Sequence, residues 1–322
     1  MSTIVLGLAG DTMMGRAVGE ALARRPASAL FAPEVVAAAH EADLMVLNLE
    51  CCISTGGRPW PDPHKPFFFR APPAAVDALA LLGVDCVTLA NNHALDFGPE
   101  ALLDTLDHLH AAGIATIGAG ADETRARAPV VLESRGFHLA VVGVTDHPAE
   151  FAAARGEPGV AHAELRERVP GWLLEALRVP DADAVLVTPH WGPNMTASPL
   201  PRVRAAAARL REAGATLVAG HSAHVFHGVQ DHVLYDLGDF LDDYATDPRL
   251  RNDLGLLFLV TLDDDGPVRL EALPLELRYC RTRLAGGDDA AWIRRRFIRA
   301  CEDLGTPARE HEGRLVVDWR SP

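Results

Sequence analysis

Seven residues of this chain have types and positions suited to chemistry: Asp11, Glu50, Asn92, His93, His190, His221 and His224. Each stands at or just beyond an apolar run of strand length. Ile4–Ala9 precedes Asp11, Leu44–Leu49 precedes Glu50, and Val84–Leu89 leads into Asn91-Asn92-His93. Ala184–Thr188 leads into Pro189-His190, and Thr216–Ala219 into Gly220-His221-Ser222-Ala223-His224. Carboxylate oxygen, amide oxygen and imidazole nitrogen together suit divalent ions such as Mn, Fe or Zn. Two ions bridged by one carboxylate use about this many ligands. Cysteine is absent from these tips, which argues against a structural zinc site. Each tip also has a plain reading, since Asp caps helices and Asn makes turns. Turn chemistry alone does not explain so many strand ends of this kind.

The elements that must position these groups follow from hydrophobic periodicity. After His93, Pro99 suits a first helical turn, and Leu102, Leu103, Leu106 and Leu109 recur at helical spacing. Asp96 should open that helix, within reach of the His93 ring. Further helices are predicted from Gly15-Arg16 to about Arg25, over Glu34–Ala42, Ala74–Leu82, Gly171–Arg178 and Arg202–Ala213, and over Asp288–Leu304. Pro129–Glu133 and Phe137–Val144 read as paired strands around Ser134-Arg135-Gly136, and Leu254–Thr261 with Val268–Leu275 as antiparallel strands. Strand, polar tip and helix in succession is the layout of an α/β site, where ligands collect beyond the carboxyl ends of the strands.

Residues 51–70 form a long irregular excursion, and loops of this length are often functional. Lys65, the only lysine, and Arg70 flank Phe67-Phe68-Phe69. The pair could grip an anionic substrate, or the loop could simply pack on its own phenylalanines.

Composition narrows the class. The chain has 322 residues, 48% of them hydrophobic, and a formal net charge of −14 without a basic cluster. That argues against nucleic acid and against an anionic membrane surface as partners. Five cysteines occur without a CxxC spacing, so reduced thiols are expected. With no apolar run of about 18 residues, a cytoplasmic location is expected. No linker or repeat is visible. One domain over 1–322 is predicted, with a core over 3–277 and a helical extension over 288–322.

The motifs carry a family resemblance. Gly10-Asp11-Thr12-Met13-Met14-Gly15-Arg16, Asn48-Leu49-Glu50, Ala90–Gly98, His190-Trp191-Gly192 and Gly220–Val225 occur in the order of the poly-γ-glutamate capsule-synthesis (CapA) family. The chain resembles that family over about residues 3–240, and through it the calcineurin-like metallophosphoesterase superfamily. The resemblance implies an α/β/β/α four-layer sandwich with a dimetal site at the strand ends. By position, Asp11 resembles the first ligand, Glu50 the bridging carboxylate and Asn92 the amide ligand. His190, His221 and His224 match the late histidine ligands, and His93 the catalytic histidine oriented by Asp96. Arg16 and Asn91 join Lys65 and Arg70 as candidate substrate contacts. Met13 stands where the superfamily usually has a histidine, and His224 follows His221 by three residues rather than two.

Three functions are compatible with these residues. The first is a metal-dependent hydrolase of a phosphoester or other small anionic substrate. The second is a metal-dependent enzyme acting on a peptide or γ-glutamyl substrate, by amide hydrolysis, as a synthesis accessory or by Cα epimerisation. The third is a non-catalytic binding protein.

Overall fold

The computed structural model describes residues 3–165 and 168–320. Its centre is the strand Thr3–Thr12, nearly all of it buried. This is the pattern of a strand covered on both faces. It pairs parallel with Leu44–Leu49, which pairs with Cys86–Thr88, which pairs with Ala115–Ile117. The register Leu8–Val46–Cys86–Ala115 runs straight across the four strands, so their carboxyl ends share one edge. On the other side of Thr3–Thr12 lie the antiparallel strands Leu254–Asp263, Gly266–Arg278, Arg314–Asp318 and Arg309–His311. Asp239–Leu241 adds parallel to the end of the first strand, and Arg281–Leu284 pairs with Gly266–Arg278.

A second sheet has the spatial order Val229–Gln230, Val233–Leu234, Leu217–Ala219, Ala184–His190, Phe137–Thr145, Val130–Ser134. The two sheets pack face to face. Leu6, Leu8, Val46 and Cys86 from the first meet Leu139, Val141, Leu186 and Leu217 from the second. The alternate residues Ala9, Leu47 and Val87 point the other way, into a helical layer that contributes Val18, Val35, Leu79 and Leu102. On the far face, Val142, Val187 and Val218 pack under Leu173, Val203 and Leu210. Period-2 alternation within each strand thus yields four layers, helices outside and sheets inside. This is the α/β/β/α arrangement that the family resemblance implies.

One expectation is corrected. Among the described residues, 288–320 are not an extension beyond the core. The helix Gly287–Glu302 sets Ile293, Phe297 and Cys301 into the core between the sheets, beside Phe226 and Phe258. The strand Arg314–Asp318 then joins the first sheet beside Gly266–Arg278, with Arg309–His311 at its edge. Truncating Phe297 to Ala at such a site costs roughly 3–5 kcal/mol.

Candidate metal centre

Close backbone approach builds the first corner of the site. The Asp11 N–H donates to Gly238 O at 2.8 Å. A Cβ on Gly10 would lie 1.8 Å from that oxygen, and Gly238 itself has φ +74°. Only glycine fits both demands. The two glycines let Asp239 register against Asp11 across parallel strands.

The turn after Leu217–Ala219 supplies the second corner. Ser222 (φ 111°) and His224 (φ 59°) sit in the left-handed region without being glycine. That conformation is costly and collects at functional sites. It turns the His224 ring inward, with Nδ1 2.8 Å from Asp239 Oδ1, 3.4 Å from Asp11 Oδ2 and 4.0 Å from Glu50 Oε2. His221 Nδ1 lies 3.4 Å from Asp11 Oδ1. His190 ends its strand beside His221, the two joined by a parallel bridge.

Asp11, Glu50, His224 and Asp239 are all buried, and each offers a ligand atom within 4.8 Å of the others. Buried polar atoms normally have partners. Here Asp11 Oδ2, Glu50 Oε1, Asn92 Oδ1, both ring nitrogens of His190, His221 Nδ1 and Asp239 Oδ2 have none. Burial, then the neighbouring Asp11 charge, drives the Glu50 carboxyl far above the usual range. Burial and the Asp242 charge do the same to Asp239. Burial also raises Asp11, but contact with His221 and the fields of His190 and His224 outweigh it and hold Asp11 low. Several acids crowded out of water need cations or protons. This buried cluster of carboxylate and imidazole donors could hold a metal ion.

His93 lies on the opposite wall. Its Nδ1 is 2.7 Å from Asp96 Oδ2 and its Nε2 3.9 Å from Glu50 Oε1. Its ring stacks on Phe69 with centroids 4.1 Å apart. Burial pushes the imidazole pKa down, Asp96 opposes this, and Lys65 adds to the depression. Asp96 sits in the turn before the helix Gly98–Ala111 rather than inside it. There Asp96, besides orienting His93, takes two further roles: it accepts from the Phe69 N–H at 2.6 Å and pairs with Lys65 Nζ at 2.9 Å.

The four candidate substrate contacts part company. Arg16 lines a pocket of about 340 Å³ with Phe67, Phe69, His93, His224 and Tyr244. Its guanidinium pairs with Asp243 at 2.9 Å and lies 5.6–5.8 Å from the centroids of Phe67, Phe69 and Tyr244. Lys65 is spent on Asp96 and on Asn92 O at 2.8 Å, so it braces the His93 turn instead of reaching into the pocket. Arg70 donates to Gly56 O and stacks on Phe97 at 4.1 Å, outside the pocket lining. Asn91 is fully buried; it donates to Asn48 Oδ1 and Leu49 O and accepts from the His93 N–H. Asn48 in turn donates to Asp11 Oδ1 at 2.7 Å. Asn91 is therefore a strut between two strand tips.

Sequence reasoning passed over Asp239 and Tyr244. Tyr244 reaches Glu50 Oε2 at 3.5 Å and stands edge-on to His224. Asp239 did carry a signal: Gly238-Asp239 repeats the Gly10-Asp11 pair it lies against.

Fold and site together define an α/β protein whose two stacked sheets present a buried carboxylate–histidine centre at their strand ends. Residues 5–244 match the family described as "Bacterial capsule synthesis protein PGA_cap", and the chain belongs to that family. Mycobacterium tuberculosis has a relative named "Probable polyglutamine synthesis accessory protein", 33% identical over 82% of this chain and 73% of its own length. The "PGA biosynthesis protein CapA" of Bacillus subtilis is 28% identical over 83% of this chain and 70% of its own. Among solved structures, a hypothetical protein from Thermus thermophilus is similar at TM-score 0.48 and 18% identity, over 85% of this chain and 100% of its own. Among the described residues no helix is long and apolar enough to cross a membrane, and all five cysteines are free.

Proposed function

We propose that the chain is a metal-dependent hydrolase whose strand-tip centre holds two divalent ions and acts on a small anionic substrate such as a phosphoester. The observation that carries this reading is the set of partnerless buried ligand atoms on Asp11, Glu50 and Asp239, gathered with His224, with the partnerless His221 against Asp11 and His190 bridged to His221. Ions bound there supply Lewis acidity toward a phosphoryl or carbonyl oxygen. The chain's own groups do the rest. Asp96 holds His93 through Nδ1, which leaves Nε2 to exchange a proton with the reacting group. Arg16, held over three aromatic rings, receives the anionic end of the substrate. Phe67, Phe69 and Tyr244 wall the same pocket and exclude water from one side.

A second reading keeps the metals and replaces the phosphoester by a peptide or γ-glutamyl amide. It is favoured by the relatives named for polyglutamine and PGA biosynthesis. Metal analysis of the purified protein, with parallel assays on bis-p-nitrophenyl phosphate and a γ-glutamyl peptide, separates the two. The first reading expects bound metal and phosphodiester turnover that chelation abolishes and metal restores. Turnover of the peptide alone transfers the conclusion to the second reading. Protein that takes up no metal removes both.

A further inference from the structure

A second cavity, of about 360 Å³, shares no residue with the strand-tip pocket. It lies between residues 197–199, Gly228 and the helix Gly287–Glu302 with its C-terminal flank. Three guanidinium side chains line it, Arg204, Arg296 and Arg299, against one carboxylate, Asp303. In a chain of net charge −14 this is a local reversal of sign. Asp303 is already taken by Arg299 at 2.9 Å. Arg204 contacts the neutral Gln230 Oε1 at 3.4 Å.

Arg296 stands apart. Its guanidinium carbon lies 5.3 Å from the ring centroids of both Phe226 and Trp292. Its Nη2 is buried with no hydrogen-bond partner. Burial alone pushes its pKa down, and no carboxylate among the described residues opposes that. Arg296 as a whole is half-buried, yet a guanidinium nitrogen shut away from water without an acceptor is costly, because its desolvation is not repaid by a counter-charge. Its planar fork matches a carboxylate or phosphate through paired N–H bonds. The cavity also borders Pro199, just ahead of the helix Pro201–Glu212, whose N-terminal end carries partial positive charge.

We propose that this cavity is an oxyanion-binding site, in which Arg296 and Arg204 take the phosphate or carboxylate group of a small anion. Calorimetric titration and thermal melts of the metal-stripped full chain test it, with inorganic phosphate in one arm and glutarate in the other. Saturable one-site binding is expected in at least one arm, together with a rise in melting temperature. Binding confined to phosphate assigns a phosphoryl ligand, and binding confined to glutarate a carboxylate one. Arg296→Met should weaken binding at least about tenfold, the scale of a lost bidentate charged contact. It should also erase the anion-dependent rise in melting temperature without lowering the melting temperature of the ligand-free protein. Arg204→Gln should weaken binding by a smaller factor, and it carries the test if Arg296→Met does not fold. Arg16→Gln removes the anion contact proposed for the strand-tip pocket, and the binding that Arg296→Met weakens should persist in that variant. The proposal is overturned if neither anion binds at millimolar concentration, or if Arg16→Gln abolishes binding. It is equally overturned if Arg296→Met binds like wild type, or lowers the melting temperature equally with and without anion, as a purely packed cation–π residue would.

Discussion

His224 Nδ1 lies 2.8 Å from Asp239 Oδ1, although the two residues reach that point from different directions. His224 arrives on a left-handed turn after Leu217–Ala219, and Asp239 begins a strand pinned to the first strand of the other sheet. The contact therefore ties the two sheets together at the carboxylate–histidine centre. It also fills out a donor set from which Met13 is missing: Met13 is fully buried, and its sulfur accepts from the Gly15 N–H.

Asp239→Asn tests that role directly. The substitution keeps the shape and removes a charge from the cluster. Metal affinity should fall by at least about tenfold, the lower end of the loss seen when even an outer partner of a metal ligand is removed. Titration with Mn²⁺ or Zn²⁺ reads this out. Unchanged affinity would show that Asp239 only orients His224.

His93→Asn separates proton transfer from metal binding. Nε2 faces Glu50 at 3.9 Å while Asp96 holds Nδ1. The variant should retain its metal and lose roughly 10²–10⁴ in kcat, the usual range for a positioned acid or base. Loss of metal in the variant would make His93 a ligand instead.

Lys65→Met distinguishes a brace from a substrate grip. Lys65 pairs with the wholly buried Asp96 at 2.9 Å. Breaking a buried pair by removing one partner costs about 3–5 kcal/mol, so urea unfolding should show a large loss. Lys65 also depresses the His93 pKa, so whichever limb of the pH–rate profile His93 sets should move to higher pH in the variant. A raised KM with unaltered stability and pH profile would return Lys65 to the substrate.

His227 predicts an acid-sensitive fold. Its pKa is lowered from 6.5 to about 4 by burial, with Arg296 adding to the effect, and its Nδ1 has no partner. The unfolded chain therefore binds a proton that the folded chain refuses. The stability from this group is present above about pH 6.5 and is lost as the pH falls from there toward 4. His227→Gln keeps a donor for Thr196 O but cannot titrate. Between pH 7 and pH 5 wild type should lose about 2 kcal/mol more than the variant, from about 1.4 kcal/mol per pKa unit. Parallel losses in the two proteins would mean that His227 is protonated freely in the fold.

Much of the site is legible in the sequence, because apolar runs and the polar residues that end them are local properties of the chain. Leu44–Leu49 ending in Glu50, and Thr216–Ala219 ending in His221, declare both the element and its tip. The Asp11–His221 contact at 3.4 Å is what converging strand ends require. Other roles depend on which tips meet. Asp239 opens a strand of only three residues, and its place beside Asp11 comes from parallel pairing and two glycines that let the backbones touch. Lys65 and Arg70 look alike as cations flanking an aromatic run. The folded loop gives one to Asp96 and the other to Gly56 O and the face of Phe97. Asn91 and Asn92 are neighbours, yet one is consumed as a strut and the other keeps a bare oxygen. Periodicity can place a side chain on an element and a face. Hydrogen bonds and ion pairs act over about 3–4 Å, so their partners are chosen only when the fold brings distant segments that close.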